Sequence, residues 1–366
     1  MSQQQWGAPA QYGRPPANQP GWGGSPYGQN YPGPGTPSPF GPGQPAGAPG
    51  GQPPYGMGRT PAPRRRNPLA SLLRALIVVA LVAIVGFAAI GALAPTTDVA
   101  YQNDAYKVPP PDRNPPPIPV PDTYQKAEQI VTSSPFYDQT APAPVRCTTS
   151  PINVNSASDA QLKSHFEGMM ECLLRVWQPP VTGAGLEIVR PTVTIFGTKM
   201  TTKCGTSGVN AFYCAADQQV YYSNRLADAI PVVQRDKWAA DVVIAHEFGH
   251  ALQGRTGILI SAKALGQESG DEATDLLYSR RLETQADCFS GMFIRSVSVS
   301  LGIEQQDLSG IEDTYKAIGD DTLSGEANIN GNHGLSRSRL YWGQTGLGNG
   351  AIQSCNTFTA PDNQVR

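Results

Sequence analysis

Residues 241–253 read DVVIAHEFGHALQ, and the interpretation of the chain starts from this stretch. Its centre, His246-Glu247-Phe248-Gly249-His250, is an HExxH pentapeptide. On a helix, positions i and i+4 share a face, so both imidazoles can meet one metal ion. Glu247 can then reach a metal-bound water and act as general base. The apolar run before His246 predicts that this helix is buried.

A zinc site that supports hydrolysis needs three protein ligands and one open position. Glu283 lies on a second predicted helix, from about Asp275 to Val297, and Asp287 follows it by one turn. We expect Glu283 to be the third metal ligand. We expect Asp287 to accept a hydrogen bond from His246 and so fix the tautomer of that ring. The alternative is a solvated acidic face beside two arginines.

Four blocks of sequence occur in an order that resembles the bacterial putative neutral zinc metallopeptidase family. They are KCGTSGVNAFYCAADQQVYYS (203–223), VVIAHEFGHALQ (242–253), ETQADCFSGMF (283–293) and NHGLSRSR (332–339). The likeness covers roughly residues 190–345. It implies a zincin-like domain of the gluzincin type that binds one Zn²⁺. Its ligands would be His246, His250 and Glu283, and Glu247 would be catalytic.

Two positions depart from the pattern of that family. Ala251 stands where a second histidine commonly follows the pentapeptide, and Leu335 stands where a small polar residue is usual. Neither position is a proposed ligand, but both bear on substrate preference.

Further candidates concern the negative charge that develops on the substrate oxygen. His333, in the last block, is a candidate catalytic residue that stabilises this oxyanion, and the alternative is a loop histidine with a local hydrogen bond. The other possible donors are Tyr213, Tyr278 and Tyr341. His165, next to Phe166 on a predicted helix, is interpreted as structural.

The pattern of secondary structure predicts an α+β fold with strands first and the main helices later. Helical spacing covers Gln161–Trp177 and ends before two prolines, and Leu186–Phe196 has the composition of a strand. Asp236 is a candidate cap for the HExxH helix, which Gly254 is expected to stop.

The segment Gln218–Tyr222 is also a predicted strand, and it lies shortly before the HExxH helix. In zinc peptidases of this general architecture, an edge strand that precedes the active-site helix pairs with the substrate backbone. We therefore expect this segment to be the edge that holds a peptide. The alternative is a structural hairpin.

The composition divides the chain into two unlike parts. Residues 1–63 contain 15 glycines and 16 prolines, and residues 1–97 carry six arginines and no acidic residue. The remainder holds 21 basic and 29 acidic side chains. We therefore expect residues 1–67 to be a disordered tail with no assigned partner. The acidic remainder excludes a nucleic-acid-binding domain.

The apolar run 75–94, within 68–95, predicts one transmembrane helix. Arginines precede it and acids follow it, so the N-terminus is expected in the cytoplasm. A cleaved signal peptide is the alternative. The proline-rich residues 96–123 are interpreted as a stalk that holds the domain formed by residues 124–366 outside the plasma membrane.

All six cysteines follow the apolar run, as expected for disulfides in an oxidising exterior. Fifteen pairings are open. Local spacing favours Cys204–Cys214 across a hairpin, with Cys147–Cys172 and Cys288–Cys355 as weaker alternatives among the rest.

The combined prediction is a single-pass membrane protein whose extracytoplasmic domain is a zinc peptidase acting on peptides or proteins. Two alternatives remain open. One is an inactive envelope module that binds a partner, and the other is a zinc hydrolase that acts on cell-wall peptide or amide bonds.

Overall fold

The computed structural model describes residues 99–366. Within these residues, no helix combines the length and the apolar character needed to cross a membrane. The predicted tail, 1–67, and the predicted transmembrane helix, 68–95, lie outside the described residues.

The described residues form an α+β fold in which most of the helices follow the strands, as the sequence predicts, but two helices precede the first strand. The strands are β1 (Val193–Phe196), β2 (Met200–Thr202), β3 (Gly205–Ser207), β4 (Ala211–Cys214) and β5 (Gln219–Ser223). The α-helices are α1 (Tyr124–Ser133), α2 (Asp159–Gly183), α3 (Leu226–Ala229), α4 (Val232–Arg235), α5 (Ala239–Arg255), α6 (Ile258–Glu268), α7 (Glu272–Leu301), α8 (Leu308–Ala317), α9 (Asp320–Ser324) and α10 (Ser336–Gly348).

The main sheet has three strands in the order β1-β5-β4, with β1 parallel and β4 antiparallel to β5. The strand predicted at Gln218–Tyr222 is confirmed as β5, but the prediction that it is the edge is wrong. β1 pairs with its other side, a long-range pairing that sequence order does not reveal. β4 is one of the two edge strands of this sheet, and it packs against α5.

Helix α2 continues through Pro179 and Pro180, so the prediction that it ends before them is wrong. A proline inside a helix leaves the carbonyl four residues earlier without its usual donor. Here that carbonyl belongs to Arg175, and the Asn103 side chain donates to it at 2.8 Å. A contact from a distant segment therefore compensates for one of the missing bonds.

Helix α5 is buried along its whole length, as its apolar start predicts. Gly254 does not stop it, because the left-handed residue that ends it is Gly257, with φ 77°. Gly254 lies inside the helix, where an added Cβ would come within 3.3 Å of the Tyr213 hydroxyl. Asp236 accepts from the backbone N–H of Trp238 at 2.8 Å, just before the helix.

Helices α5 and α7 approach each other closely at Gly249. A Cβ added there would lie 3.0 Å from the Cα of Ala286. One turn along α7, the Ser290 hydroxyl donates to the carbonyl of Val242 on α5 at 3.0 Å. The small residues therefore place the HExxH face of α5 directly against the acidic face of α7.

The stalk interpretation is wrong for residues 99–123, the part of that segment that the structure describes. Asp112 donates its N–H to the carbonyl of Arg190, and the Pro116 carbonyl accepts from Gln218 at 2.7 Å and from Arg255 at 3.0 Å. Proline cannot donate a backbone hydrogen bond, but its carbonyl accepts one. The segment thus supplies hydrogen-bond acceptors to buried arginines and lies against the domain.

The structure confirms all three favoured cysteine pairs: Cys147–Cys172, Cys204–Cys214 and Cys288–Cys355. The elements joined by Cys204–Cys214 differ from the predicted single hairpin. Cys204 lies in the turn of the β2–β3 hairpin and Cys214 ends β4. Cys288–Cys355 ties the middle of α7 to the C-terminal region.

We expect a Cys288→Ala/Cys355→Ala double variant to lose about 4 kcal/mol of unfolding free energy. This bridge closes a separation of 67 residues, and the entropy it removes from the unfolded chain grows with loop length. Cys204→Ala/Cys214→Ala, with a separation of 10, is the matched control and should lose about 3 kcal/mol. Urea unfolding followed by circular dichroism measures both. A larger loss in the control would contradict this ranking.

Candidate metal centre and active site

Three predicted ligands converge in the structure. His246 and His250 project from α5 and Glu283 projects from α7, and one ligand atom of each lies within 4.8 Å of the others. Nε2 of His246 is 3.4 Å from Oε2 of Glu283, and Nε2 of His250 is 3.6 Å from Oε1. Both ε nitrogens therefore face the same carboxylate.

The opposite nitrogens of the two imidazoles are held by fixed acceptors. Nδ1 of His246 lies 2.9 Å from Oδ1 of Asp287, and Nδ1 of His250 lies 2.8 Å from Oε1 of Gln253. The Gln253 amide donates in turn to the carbonyl of Leu282 and to Gln285, which orients its oxygen toward His250. With the proton on each Nδ1, both Nε2 lone pairs are available to a metal.

Arg339 on α10 lies beside these residues as well, and it is not among the predicted site residues. Its side chain is 2% exposed. It donates to both carboxylate oxygens of Asp287, at 2.7 and 2.9 Å, and its Nη2 lies 3.7 Å from Oε2 of Glu283. This forked pair supplies opposite charge and two donors to a carboxylate that is itself fully buried. The sequence signal that could have identified Arg339 is its place in the NHGLSRSR block.

The electrostatics of the cluster favour a cation. Burial disfavours a charged imidazole, but the negative charge of Asp287 and hydrogen bonding to Asp287 and Glu283 outweigh it and raise the pKa of His246 to about 9. Burial likewise opposes ionisation of Glu283, but the two histidines hold its pKa well below the ordinary value. The cluster thus favours positive charge between the imidazoles and the carboxylate, and a metal ion bound at Nε2 of His246 would take the place of a proton there.

The residues fit zinc. Two imidazoles and one carboxylate form a common ligand set for a hydrolytic zinc ion. Bonds of about 2.0–2.1 Å in a tetrahedral site place neighbouring ligand atoms about 3.4 Å apart. The observed separations of 3.4 and 3.6 Å from Glu283 to the imidazoles agree with that geometry.

Glu247 is buried beside this cluster. Together with His246, His250 and Glu283 it lines one cavity. Its Oε2 accepts a hydrogen bond from the backbone N–H of Tyr213 on β4 at 2.8 Å. Burial raises the pKa of the Glu247 carboxyl, although the neighbouring histidines oppose this rise. A carboxylate with a raised pKa is a better proton acceptor near neutral pH.

His333 lines the cavity as well, and Asp320 holds it in place. Asp320 Oδ1 lies 2.9 Å from Nδ1 of His333, and Oδ2 accepts the backbone N–H of both His333 and Gly334. Sequence reasoning did not identify Asp320, which lies thirteen residues away on α9. His333 therefore makes the local hydrogen bond that the alternative interpretation expects, and it also lines the cavity.

The remaining candidates lie in different places. Tyr213 lines the cavity, but its hydroxyl lies against Gly254. Tyr278 packs near Phe358, and neither Tyr278 nor Tyr341 lines the cavity. His165 is buried against Asp241 with 2.6 Å between Nε2 and Oδ1, in accord with a structural role. Lys263 lines the cavity and was not predicted.

The edge strand β4 forms one side of the cavity. The carbonyls of Asn210 and Cys214 accept hydrogen bonds from Ser223 and Gln218, so these alternate positions face β5. The backbone groups of Ala211 and Tyr213 therefore face the other way. One of them, the Tyr213 N–H, meets Glu247.

Sequence comparisons show the family of the chain. Residues 131–358 match the family described as "Putative neutral zinc metallopeptidase", and the chain belongs to that family. Uncharacterized protein YpfJ of Escherichia coli K12 is 32% identical over 195 residues, which cover 50% of this chain and 66% of YpfJ. Uncharacterized protein Rv2575 of Mycobacterium tuberculosis H37Rv is 28% identical over 208 residues, or 51% of this chain and 67% of Rv2575. No solved structure matches the chain significantly.

We expect Asp287→Asn to raise the dissociation constant for zinc by about 10–100-fold, because the asparagine no longer supplies the anion that orients His246. Competition with a chromophoric chelator measures the constant. Asp138→Asn, at an exposed position, is the matched control and should bind zinc as the parent does. Unchanged affinity in Asp287→Asn would contradict a role for Asp287 in holding the ligand.

Proposed function

We propose that this chain is a zinc-dependent peptidase that hydrolyses peptide bonds with Glu247 as the general base. One observation carries the proposal. His246, His250 and Glu283 turn their ligand atoms toward one point, and Glu247 is buried next to that point on the same helix. A structural zinc site would need four protein ligands and no adjacent base.

His246, His250 and Glu283 would hold the zinc. When bound, zinc supplies Lewis acidity, which lowers the pKa of a coordinated water toward neutrality and polarises a carbonyl. Asp287 and Gln253 keep the imidazoles in the tautomer that presents Nε2. Arg339 holds the buried Asp287 carboxylate in place through its forked contact.

Glu247 would take the proton from the attacking water and pass it to the leaving amine. Its other oxygen, Oε2, stays in place because it accepts a hydrogen bond from the backbone N–H of Tyr213. His333 would stabilise the negative charge on the substrate oxygen, with Asp320 fixing its ring through Nδ1.

The open side of β4 would bind the peptide backbone. The backbone groups of Ala211 face away from β5, into the same cavity that holds Glu247. An extended peptide can add to such an edge through main-chain hydrogen bonds, which do not depend on its side chains. Binding of the peptide backbone at a sheet edge, which the sequence predicted for β5, is therefore proposed for β4.

We expect Glu247→Gln to retain zinc and to lower kcat by about 10²–10⁴-fold, because glutamine cannot accept the proton. Elemental mass spectrometry of the purified protein measures the metal, and cleavage of unstructured peptides measures turnover. Glu268→Gln, at an exposed site on α6, is the control and should match the parent. Parental turnover by a zinc-loaded Glu247→Gln protein would rule out Glu247 as the base.

We also propose that the chain is anchored in the plasma membrane by residues 68–95, with its N-terminus in the cytoplasm and the peptidase domain outside. The support is the apolar run between basic and acidic flanks, and the six cysteines of the domain, all paired. This location gives the enzyme peptide or protein substrates of the cell envelope.

For a fusion of alkaline phosphatase to Arg366, we expect high activity in cells and retention in carbonate-washed membranes. The phosphatase folds only outside the cytoplasm, so its activity reports the side of the C-terminus. A fusion directly after residue 66, ahead of the apolar run, is the control and should be inactive. A soluble active fusion would favour a cleaved signal peptide.

A further inference from the structure

Lys263 lines the cavity beside the metal cluster, but it is neither a proposed ligand nor part of the proposed reaction. It lies in the middle of α6, the helix that follows the HExxH helix, and its side chain is partly buried. Arg339, another cation of the lining, is held by Asp287 and by the carbonyl of Ile318. Arg339 thus holds the site together, whereas Lys263 adds positive charge to the space that a substrate would fill.

Helix packing places Lys263 about one turn of α7 from Glu283. α6 and α7 are joined by a short loop and pack on each other, so they run antiparallel. A Cβ added to Gly266 on α6 would lie 2.6 Å from Oδ1 of Asp275 on α7. Because Lys263 precedes Gly266 by three residues, it is level with a position three or four residues after Asp275. Ser279 occupies that position, lines the cavity and is 7% exposed.

The electrostatic surroundings of Lys263 agree with this position. Burial lowers the pKa of the ammonium, and the carboxylates of Asp275 and Glu283, on either side of Ser279 along one face of α7, oppose this decrease. Part of this support is lost when Glu283 holds a divalent cation, because the cation neutralises the carboxylate and repels an ammonium nearby. A negatively charged group of a bound substrate would restore it.

An ammonium and a hydroxyl side by side suit a carboxylate. Lysine has three donors and serine has one, and a charge-assisted hydrogen bond to a carboxylate is about twice as strong as a neutral one. Four residues of α7 rise about 6 Å, and an extended peptide advances about 3.3–3.6 Å per residue. The distance along α7 from Glu283 to Ser279 therefore corresponds to one or two residues of a substrate.

We propose that Lys263 and Ser279 form a carboxylate subsite, which binds a carboxylate of the substrate one or two residues from the scissile bond. In a peptide this group is either the C-terminus or the side chain of an aspartate or glutamate. The first source would make the enzyme a carboxypeptidase, and the second would make it a peptidase selective for acidic residues. This inference rests on the proposed peptidase function.

The test uses the purified full-length chain in detergent, with its zinc content confirmed, and a peptide mixture in which mass spectrometry locates each cut. A cleaved peptide is then made in two matched pairs, one with the C-terminus as acid or amide and one with Asp or Asn near the cut. We expect the carboxylate member of one pair to exceed its neutral partner by about 10–100-fold in kcat/KM, the effect of one hydrogen bond to a charged group. The pair that responds identifies the source of the carboxylate.

Lys263→Met keeps the aliphatic length of the side chain and removes its charge, so it should reduce the ratio of the responding pair to about 1. Lys263→Arg should keep most of the ratio, because a guanidinium also pairs with a carboxylate. Lys199→Met, at an exposed position outside the cavity, is the matched control and should keep the parental ratio. Ser279→Ala serves if the methionine variant fails to fold, and should lower the ratio as well.

Binding without turnover separates the two proposals. In a Glu247→Gln background, calorimetry should show tighter binding of the carboxylate peptide than of its neutral partner, and adding Lys263→Met should abolish the difference. If the zinc-loaded parent cuts no peptide, the peptidase function is overturned, and this binding difference still decides the subsite. Cleavage with equal kcat/KM within both pairs would overturn the carboxylate subsite and leave the peptidase function intact. A carboxylate preference that persists in Lys263→Met would also overturn the subsite.

Discussion

The close approach of α5 and α7 at Gly249 and Ala286 is the constraint on which the site depends. Glu283 can face two imidazoles on another helix only if the two backbones nearly touch, and a Cβ at Gly249 would already press on Ala286. The Ser290–Val242 hydrogen bond holds the same pair of helices one turn away. Gly249 is one of the two variable positions of the HExxH pentapeptide, so the motif carries a packing requirement as well as ligands.

A third helix makes this arrangement electrostatically tolerable. Asp287 and Glu283 place two carboxylates on one face of α7, and burial penalises both charges. Arg339 on α10 offsets these charges through a forked contact to Asp287, and its guanidinium also lies near Glu283. Glycines at the α7–α10 contact, Gly291 and Gly346, let the arginine come so close. A divalent cation held by His246, His250 and Glu283 would add further positive charge beside these carboxylates.

The features that the sequence predicted correctly are those set by local spacing. Two histidines at i and i+4, and Glu283 and Asp287 at the same interval, define which side chains share a face, and the helices confirm both faces. The features it missed depend on distant contacts. The Asn103 side chain donates to the carbonyl that Pro179 leaves without a donor in α2. The Tyr213 hydroxyl lies where a Cβ at Gly254 would crowd it, and pairing with β1 makes β5 a central strand. Neither Arg339 nor Asp320 belongs to a helical spacing pattern, because the partners that explain them lie 52 and 13 residues away in the chain.

Residues 318–334 position His333 in the proposed enzyme. This segment supplies His333, Ile318 and Leu323 to the lining of the cavity. Asp320 lies between them and binds the backbone and ring of His333, which fixes the loop onto the start of α9. A displacement of α9 would therefore move His333 as well, so the group proposed to stabilise the oxyanion depends on the packing of a short helix that lies thirteen residues earlier in the chain.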